Sequence, residues 1–100
     1  MKSFGDMVKQ AQKVQKQMAE MHEHLAEERF EASAGGGMVK AVVDGRQMLK
    51  ALTLQPDALK EDPALVEDLV MTAIGEAQRA SEAHMKETLG QLTGGLPLPF

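Results

Sequence analysis

Four lysines near the start of the chain, Lys2, Lys9, Lys13 and Lys16, have a type and spacing that suit one chemistry. Lys2, Lys9 and Lys16 recur every seven residues and Lys13 follows Lys9 by four, so on a helix all four share a face. A row of ammonium groups at that pitch can track phosphates, and it can equally be a solvated face that serves solubility alone. The same face turns acidic at Glu20, Glu23 and Glu27, which confines anion contact to about the first four turns. Arg46 and Lys50, beside a turn, are secondary candidates, as are Arg79 and Lys86 on a later helix face; each pair also reads as plain surface charge.

Other chemistries find less support. His22 and His24 point away from each other on a helix, and Glu20 with His24, or His84 alone, falls short of the three or four converging ligands that tetrahedral zinc wants. No metal site is expected. Gly35-Gly36-Gly37 is followed by a strand pattern and by no Gly-Lys-Ser/Thr, so it reads as a connection and not a phosphate cradle. Neither the serines nor the histidines have nucleophile-elbow spacing, and the carboxylates sit among charged neighbours on helices, so no catalysis, cofactor or small-molecule substrate is expected. With zero Cys there is no disulfide, Cys-ligated zinc, iron–sulfur cluster or thiol nucleophile, which suits a reducing cytosol. No apolar signal core follows Lys2 and no run reaches the roughly 18 apolar residues of a membrane span, so a cytoplasmic chain without a membrane partner is expected.

One hundred residues, 43% hydrophobic and 26% charged, suit one folded domain, here placed at 1–93 with a Gly/Pro-rich tail at 94–100. Eight Met and three Phe, with no Trp or Tyr, supply the bulk, and Met-rich surfaces adapt well to partners. The net charge of −4 conceals segregation: residues 1–17 carry +3, 18–34 carry −4, 35–54 carry +2 and 55–100 carry −5. Positive charge is local, at the start and in the middle.

The elements that must position these residues follow from periodicity. Phe4, Met7, Ala11, Val14, Met18, Met21 and Leu25 alternate spacings of three and four, a heptad seam on a helix of about 25 residues with Ser3 as N-cap. Phe30, Ala32 and Ala34 then alternate with polar residues, the Gly triplet breaks the run, and Met38–Val43 resumes it. Asp44-Gly45 predicts a hairpin with a type I′ turn, both central residues at positive φ, leading to a third strand over Gln47–Leu54 that Pro56 ends. Asp62 as N-cap and Pro63 at the first helical position open a second long helix to about Leu92. Its apolar stripe is broad through Ala77 and small afterwards, which invites close approach of another helix. The class is α+β: a long N-terminal helix, a three-stranded antiparallel β-meander and a long C-terminal helix. So small a sheet cannot cover two such helices, so a second chain is expected over the remainder, with Met7, Ala11, Val14, Met18, Met21 and Leu25 as the dimer or packing seam.

Three stretches in this order resemble the YbaB/EbfC family: Met7-Val8-Lys9-Gln10-Ala11-Gln12-Lys13-Val14-Gln15-Lys16-Gln17-Met18, then Gly36-Gly37-Met38-Val39-Lys40-Ala41-Val42-Val43-Asp44-Gly45, then Thr93-Gly94-Gly95-Leu96-Pro97. Glu67-Asp68-Leu69-Val70 with Ala73 and Glu76-Ala77 also fits, and Gln55-Pro56 stands where the family usually has Asp-Pro. The resemblance implies a tweezer-like homodimer whose long helices project as prongs. It also implies a nucleoid-associated protein of the bacterial cytoplasm that binds duplex DNA with low sequence specificity and affects nucleoid organisation and gene expression. With it, Lys2, Lys9, Lys13 and Lys16, then Arg46 and Lys50, become the expected DNA contacts. The alternative is a helical adaptor that acts with recombination or replication proteins through its Met-rich seam and does not touch DNA.

Overall fold

The computed structural model describes residues 3–92. Helix α1 (Phe4–Glu27) is followed by strands β1 (Arg29–Ala34), β2 (Val39–Asp44) and β3 (Leu49–Leu54), a 3-10 turn at Pro56–Lys60, and helix α2 (Pro63–Leu92). The ends of the helices follow from their capping residues. The Ser3 hydroxyl accepts from the Asp6 N–H at 3.2 Å, and the Asp62 carbonyl accepts from the N–H groups of Leu65 and Val66. Arg29 closes the other end of α1 by donating to the carbonyls of Ala26 (2.8 Å) and Glu28 (2.9 Å), a cation placed where the helix dipole favours one.

The sheet is an antiparallel meander with β2 in the centre. Val39, Ala41 and Val43 of β2 are buried, and directly opposite them stand Ala34, Ala32 and Phe30 of β1 and Leu54, Leu52 and Leu49 of β3. Opposed residues share a face, so all nine lie on one side of the sheet. Leu69, Val70, Ala73 and Ile74 of α2 pack on that side over β1 and β2. The side chains of β3 are left exposed.

The hairpin between β2 and β3 departs from the expected turn. Gly45 does not have positive φ; Gln47 does, at 68°. The Gln47 N–H donates to the Asp44 carbonyl at 3.1 Å, closing a turn with Gly45 and Arg46 at its centre, and Gln47 then takes the left-handed conformation. The third strand correspondingly starts at Leu49 and not at Gln47. A glycine is required at 45 for space, since a Cβ there would stand 2.6 Å from the Leu25 carbonyl oxygen, which already accepts from the Gly45 N–H at 2.7 Å. The Gly35-Gly36-Gly37 connection is the one built on positive φ, with all three residues in that region.

Helix α1 leaves the sheet at its C-terminal end and stands largely free. The molecule measures 69 × 21 × 16 Å with a radius of gyration of 19.1 Å, against about 13 Å for a compact chain of this length. Only Met21 and Leu25 of α1 are buried, at the end where the small stripe Ala73, Ala77 and Ser81 of α2 continues the core.

Candidate nucleic-acid interface

Lys9, Lys13 and Lys16 are exposed along α1, and among the described residues none of the three enters an ion pair; Lys2 lies outside the described residues. From Lys9 to Lys16 is about 10.5 Å at 1.5 Å per residue, comparable to three phosphates of one DNA strand at 3.4 Å each along the duplex axis. The row faces away from the seam of Met7, Ala11, Val14 and Met18, because positions seven apart fall nearly on one line and the two sets occupy opposite sides of the helix wheel. Gln10, Gln12, Gln15 and Gln17 fill the flanks without opposing charge, while Glu20, Glu23 and Glu27 take over the same face towards the base.

The two secondary cations belong to a different place. Arg46 sits exposed in the hairpin, whose Gly45 touches Leu25, so it stands at the base of α1 about 13 Å along the helix axis from the level of Lys16. Lys50 is the extra residue of a bulge between the Val42–Ala51 and Val43–Leu49 pairs, and its Nζ lies 3.8 Å from an Asp44 carboxylate oxygen. The structure therefore does not bring Arg46 and Lys50 together with the lysine row, and Lys50 is already engaged. Lys86 is engaged with Glu82 at 3.2 Å.

Sequence reasoning missed the group that fixes how α1 is mounted. Asp44 is buried, and its carboxylate accepts from the backbone N–H groups of Arg46 (2.8 Å) and Met48 (3.0 Å). Burial alone would raise its pKa, but those two hydrogen bonds, with the charges of Lys50 and Arg46, hold the carboxyl below its ordinary value. The Asp44 carbonyl accepts from the buried Ser81 hydroxyl at 2.7 Å, and the Gln78 amide donates to the Gln47 carbonyl at 3.3 Å, tying α2 to the hairpin. Beside them His84 Nε2 stands 2.6 Å from Glu28 Oε2, with its ring 5.3 Å from that of Phe30. The signal that was available is the four-residue spacing of Ala73, Ala77 and Ser81, the buried small stripe along which α2 lies on β2 and reaches the hairpin. No three His, Asp or Glu side chains among the described residues converge as a metal site, and no described helix is long and apolar enough to cross a membrane.

Comparison with known proteins agrees over nearly the whole length. The profile of the YbaB/EbfC DNA-binding family matches residues 1–96. A nucleoid-associated protein of Thermoanaerobacter pseudethanolicus is 41% identical over 98 residues, covering 97% of this chain and 88% of the relative. One from Nostoc punctiforme is 40% identical over 99 residues, covering 99% and 86%. The crystal structure of an uncharacterized protein from Helicobacter pylori superposes with a TM-score of 0.86 over 93% of this chain and 99% of that one, at 19% identity, and shows the same fold. That family is one of DNA-binding, nucleoid-associated proteins and not of enzymes. The chain belongs to the YbaB/EbfC DNA-binding family.

Proposed function

We propose that this protein binds duplex DNA in the bacterial nucleoid as a homodimer, with low sequence specificity, and thereby affects nucleoid organisation and gene expression. The observation that carries the reading is the row of exposed lysines on α1, none of them in an ion pair among the described residues. Contacts from such a row go to phosphates, which carry no direct sequence information, so affinity should depend on salt far more than on base composition. The homodimer is supported by β3: Leu49, Leu52 and Leu54 lie on the core side of the sheet yet remain 39–44% exposed, and Leu59 of the following 3-10 turn is 75% exposed. Only eight hydrophobic residues are buried among those described, too few for α2 and the sheet to leave this face in water without a covering chain.

The test is a titration of duplex DNA with the wild type and a K9E/K13E/K16E variant at low salt, with circular dichroism and light scattering to follow fold and mass. The wild type should have twice the monomer mass. Its log K against log[salt] should have a slope of roughly −3 to −4 if about half of eight lysines from two chains reach phosphates. The variant should stay folded and dimeric and lose binding equally on AT-rich and GC-rich duplexes. A folded, dimeric variant that binds as tightly would return the lysines to the status of a solvated face. Binding of a protein partner through the apolar seam, the adaptor reading, would instead be indifferent to salt or strengthen with it.

A further inference from the structure

We propose that the contact between His84 and Glu28 is a proton-operated latch that sets the angle at which α1 leaves the body. Helix α1 is held at one end. Met21 and Leu25 are its buried residues, and the Leu25 carbonyl accepts from the Gly45 N–H at 2.7 Å. Glu28, the residue that ends the helix, then reaches across to α2, where its Oε2 lies 2.6 Å from His84 Nε2. From there the helix runs about 36 Å to Phe4 at 1.5 Å per residue, and the lysine row rides on that shaft. A tilt of about 10° at the base would carry the far end through about 6 Å, close to two phosphate steps of a DNA strand. A small change at Glu28 is therefore a large one along the shaft.

One proton changes the nature of this contact. Histidine is the side chain whose charge ordinarily changes between about pH 5 and pH 8. With both ring nitrogens protonated, Nε2–H donates to the carboxylate and the bond is charge-assisted, which suits its short distance. In the neutral ring the cation–anion attraction is gone, and the tautomer protonated at Nδ1 turns a lone pair of Nε2 onto an oxygen that can only accept. The Phe30 ring flanks the imidazole with centroids 5.3 Å apart, a range at which an aromatic quadrupole attracts a cation. Both side chains of the pair are 38% exposed, so solvent protons reach them without unfolding. Other charged or titratable groups stand around His84 on each neighbouring element. On α1 there is His24, one turn before Glu28 and beside Thr88 in a common hollow; on β1, Arg29, whose guanidinium is held by the carbonyls of Ala26 and Glu28. On the hairpin there is Asp44, whose carbonyl binds Ser81 one turn before His84; on α2 itself, Glu87 follows by three residues and Lys86 is paired with Glu82. Of these, only His24 is of a type that titrates in the same range.

The latch is tested without DNA. Because the chain has no cysteine, spin labels can be attached at Q12C on the shaft and T53C on the outer face of the sheet. Full-length labelled chains are diluted with unlabelled ones, so that distances within one chain are read. The distance distribution should be narrow at about pH 5.5 and broaden roughly twofold by about pH 8.5, in step with the titration of the His84 ring resonance. E28A and H84A, folded by circular dichroism, should give the broad distribution at both pH values, and H24Q should respond as the wild type does. A distribution indifferent to pH, a response that survives E28A, or one that is lost in H24Q overturns the proposal. Its consequence for function rests on the DNA reading above: affinity for duplex DNA should change at least threefold between the same pH values in the wild type and stay level in E28A, which keeps His84 and its charge. No binding of DNA at either pH, with distances that still respond, would sink the DNA reading and leave the latch standing.

Discussion

The two ends of α1 carry one seam at one spacing and meet different fates. At the base, Leu25 is 1% and Met21 8% exposed; along the shaft, Met7 is 61% and Phe4 81% exposed. Nothing in local spacing separates them, and helix propensity is good throughout. What differs is what stands opposite. The base faces a hairpin whose Gly45 admits the helix backbone and which the Ser81–Asp44 hydrogen bond ties to α2, and Met21 meets the last turn of α2 at Thr88, Gln91 and Leu92. The shaft projects beyond the end of α2 and displays its lysines on the side away from the seam. A heptad pattern thus states that a face is to be covered and leaves open by what.

The largest effect in this comparison should come from closing the gap at the base. Gly45→Val puts a Cβ within 2.6 Å of the Leu25 carbonyl oxygen and 3.0 Å of the Leu25 Cα, backbone atoms that cannot rotate aside. The cost should be about 3 kcal/mol, or 12 °C and more in Tm for a domain of this size. Gly36→Ala, at φ 65° with open space around it, should cost about 1–2 kcal/mol from backbone strain alone. Thermal denaturation of the pair tests the ranking; equal losses would mean that the Leu25 approach is not what position 45 serves.

Next comes the carboxylate beneath the same contact. Asp44→Ala leaves the Arg46 and Met48 N–H groups without their acceptor and should cost about 2 kcal/mol at neutral pH. The sign of the pH dependence follows from the lowered pKa in the fold. Stability from the ionised group is fully present above its ordinary value of 3.8 and is lost as pH falls from there through the lowered folded value. The gap between wild type and Asp44→Ala in urea midpoints should therefore be constant from pH 7 to 5 and shrink below pH 4. A gap that widens on acidification would contradict the assigned hydrogen bonds.

Most of the architecture was legible because periods of two and of three to four are properties of neighbouring residues, and so are Ser3, Asp62 and Pro63 at helix starts. Turn geometry at Asp44-Gly45 was not, since the same dipeptide serves a type I′ turn or, as here, a turn completed by Gln47 at positive φ. The choice is made by Leu25, twenty residues away, whose carbonyl needs the space. Asp44 read as a turn residue, and its carboxylate does serve the local N–H groups of Arg46 and Met48, but its burial was not legible, because Ser81, which reaches its backbone carbonyl, lies on α2, 37 positions on. Of the candidate site, the lysine row was legible because it occupies one helix. That Lys50 is turned onto Asp44 by a bulge, and that Arg46 stands at the other end of α1, depend on register and docking that spacing does not encode.

The smallest effect should come from the shaft, at Val14. It occupies the seam as Met21 does, one heptad earlier, yet is 41% exposed where Met21 is 8% exposed. Replacing it with Ala removes two methyl groups whose burial is partial, a loss of about 1 kcal/mol at most. Against that, Ala is the better helix former by roughly 0.6 kcal/mol in an α1 that stands on its own hydrogen bonds here. The two terms nearly cancel, so Val14→Ala should change stability by less than about 0.5 kcal/mol. Met21→Ala, which opens a cavity against α2, should cost about 2–3 kcal/mol. Urea denaturation of both variants reads the difference directly. If Val14→Ala costs as much as Met21→Ala, the shaft is packed as tightly as the base, and the contrast between the two ends of α1 disappears.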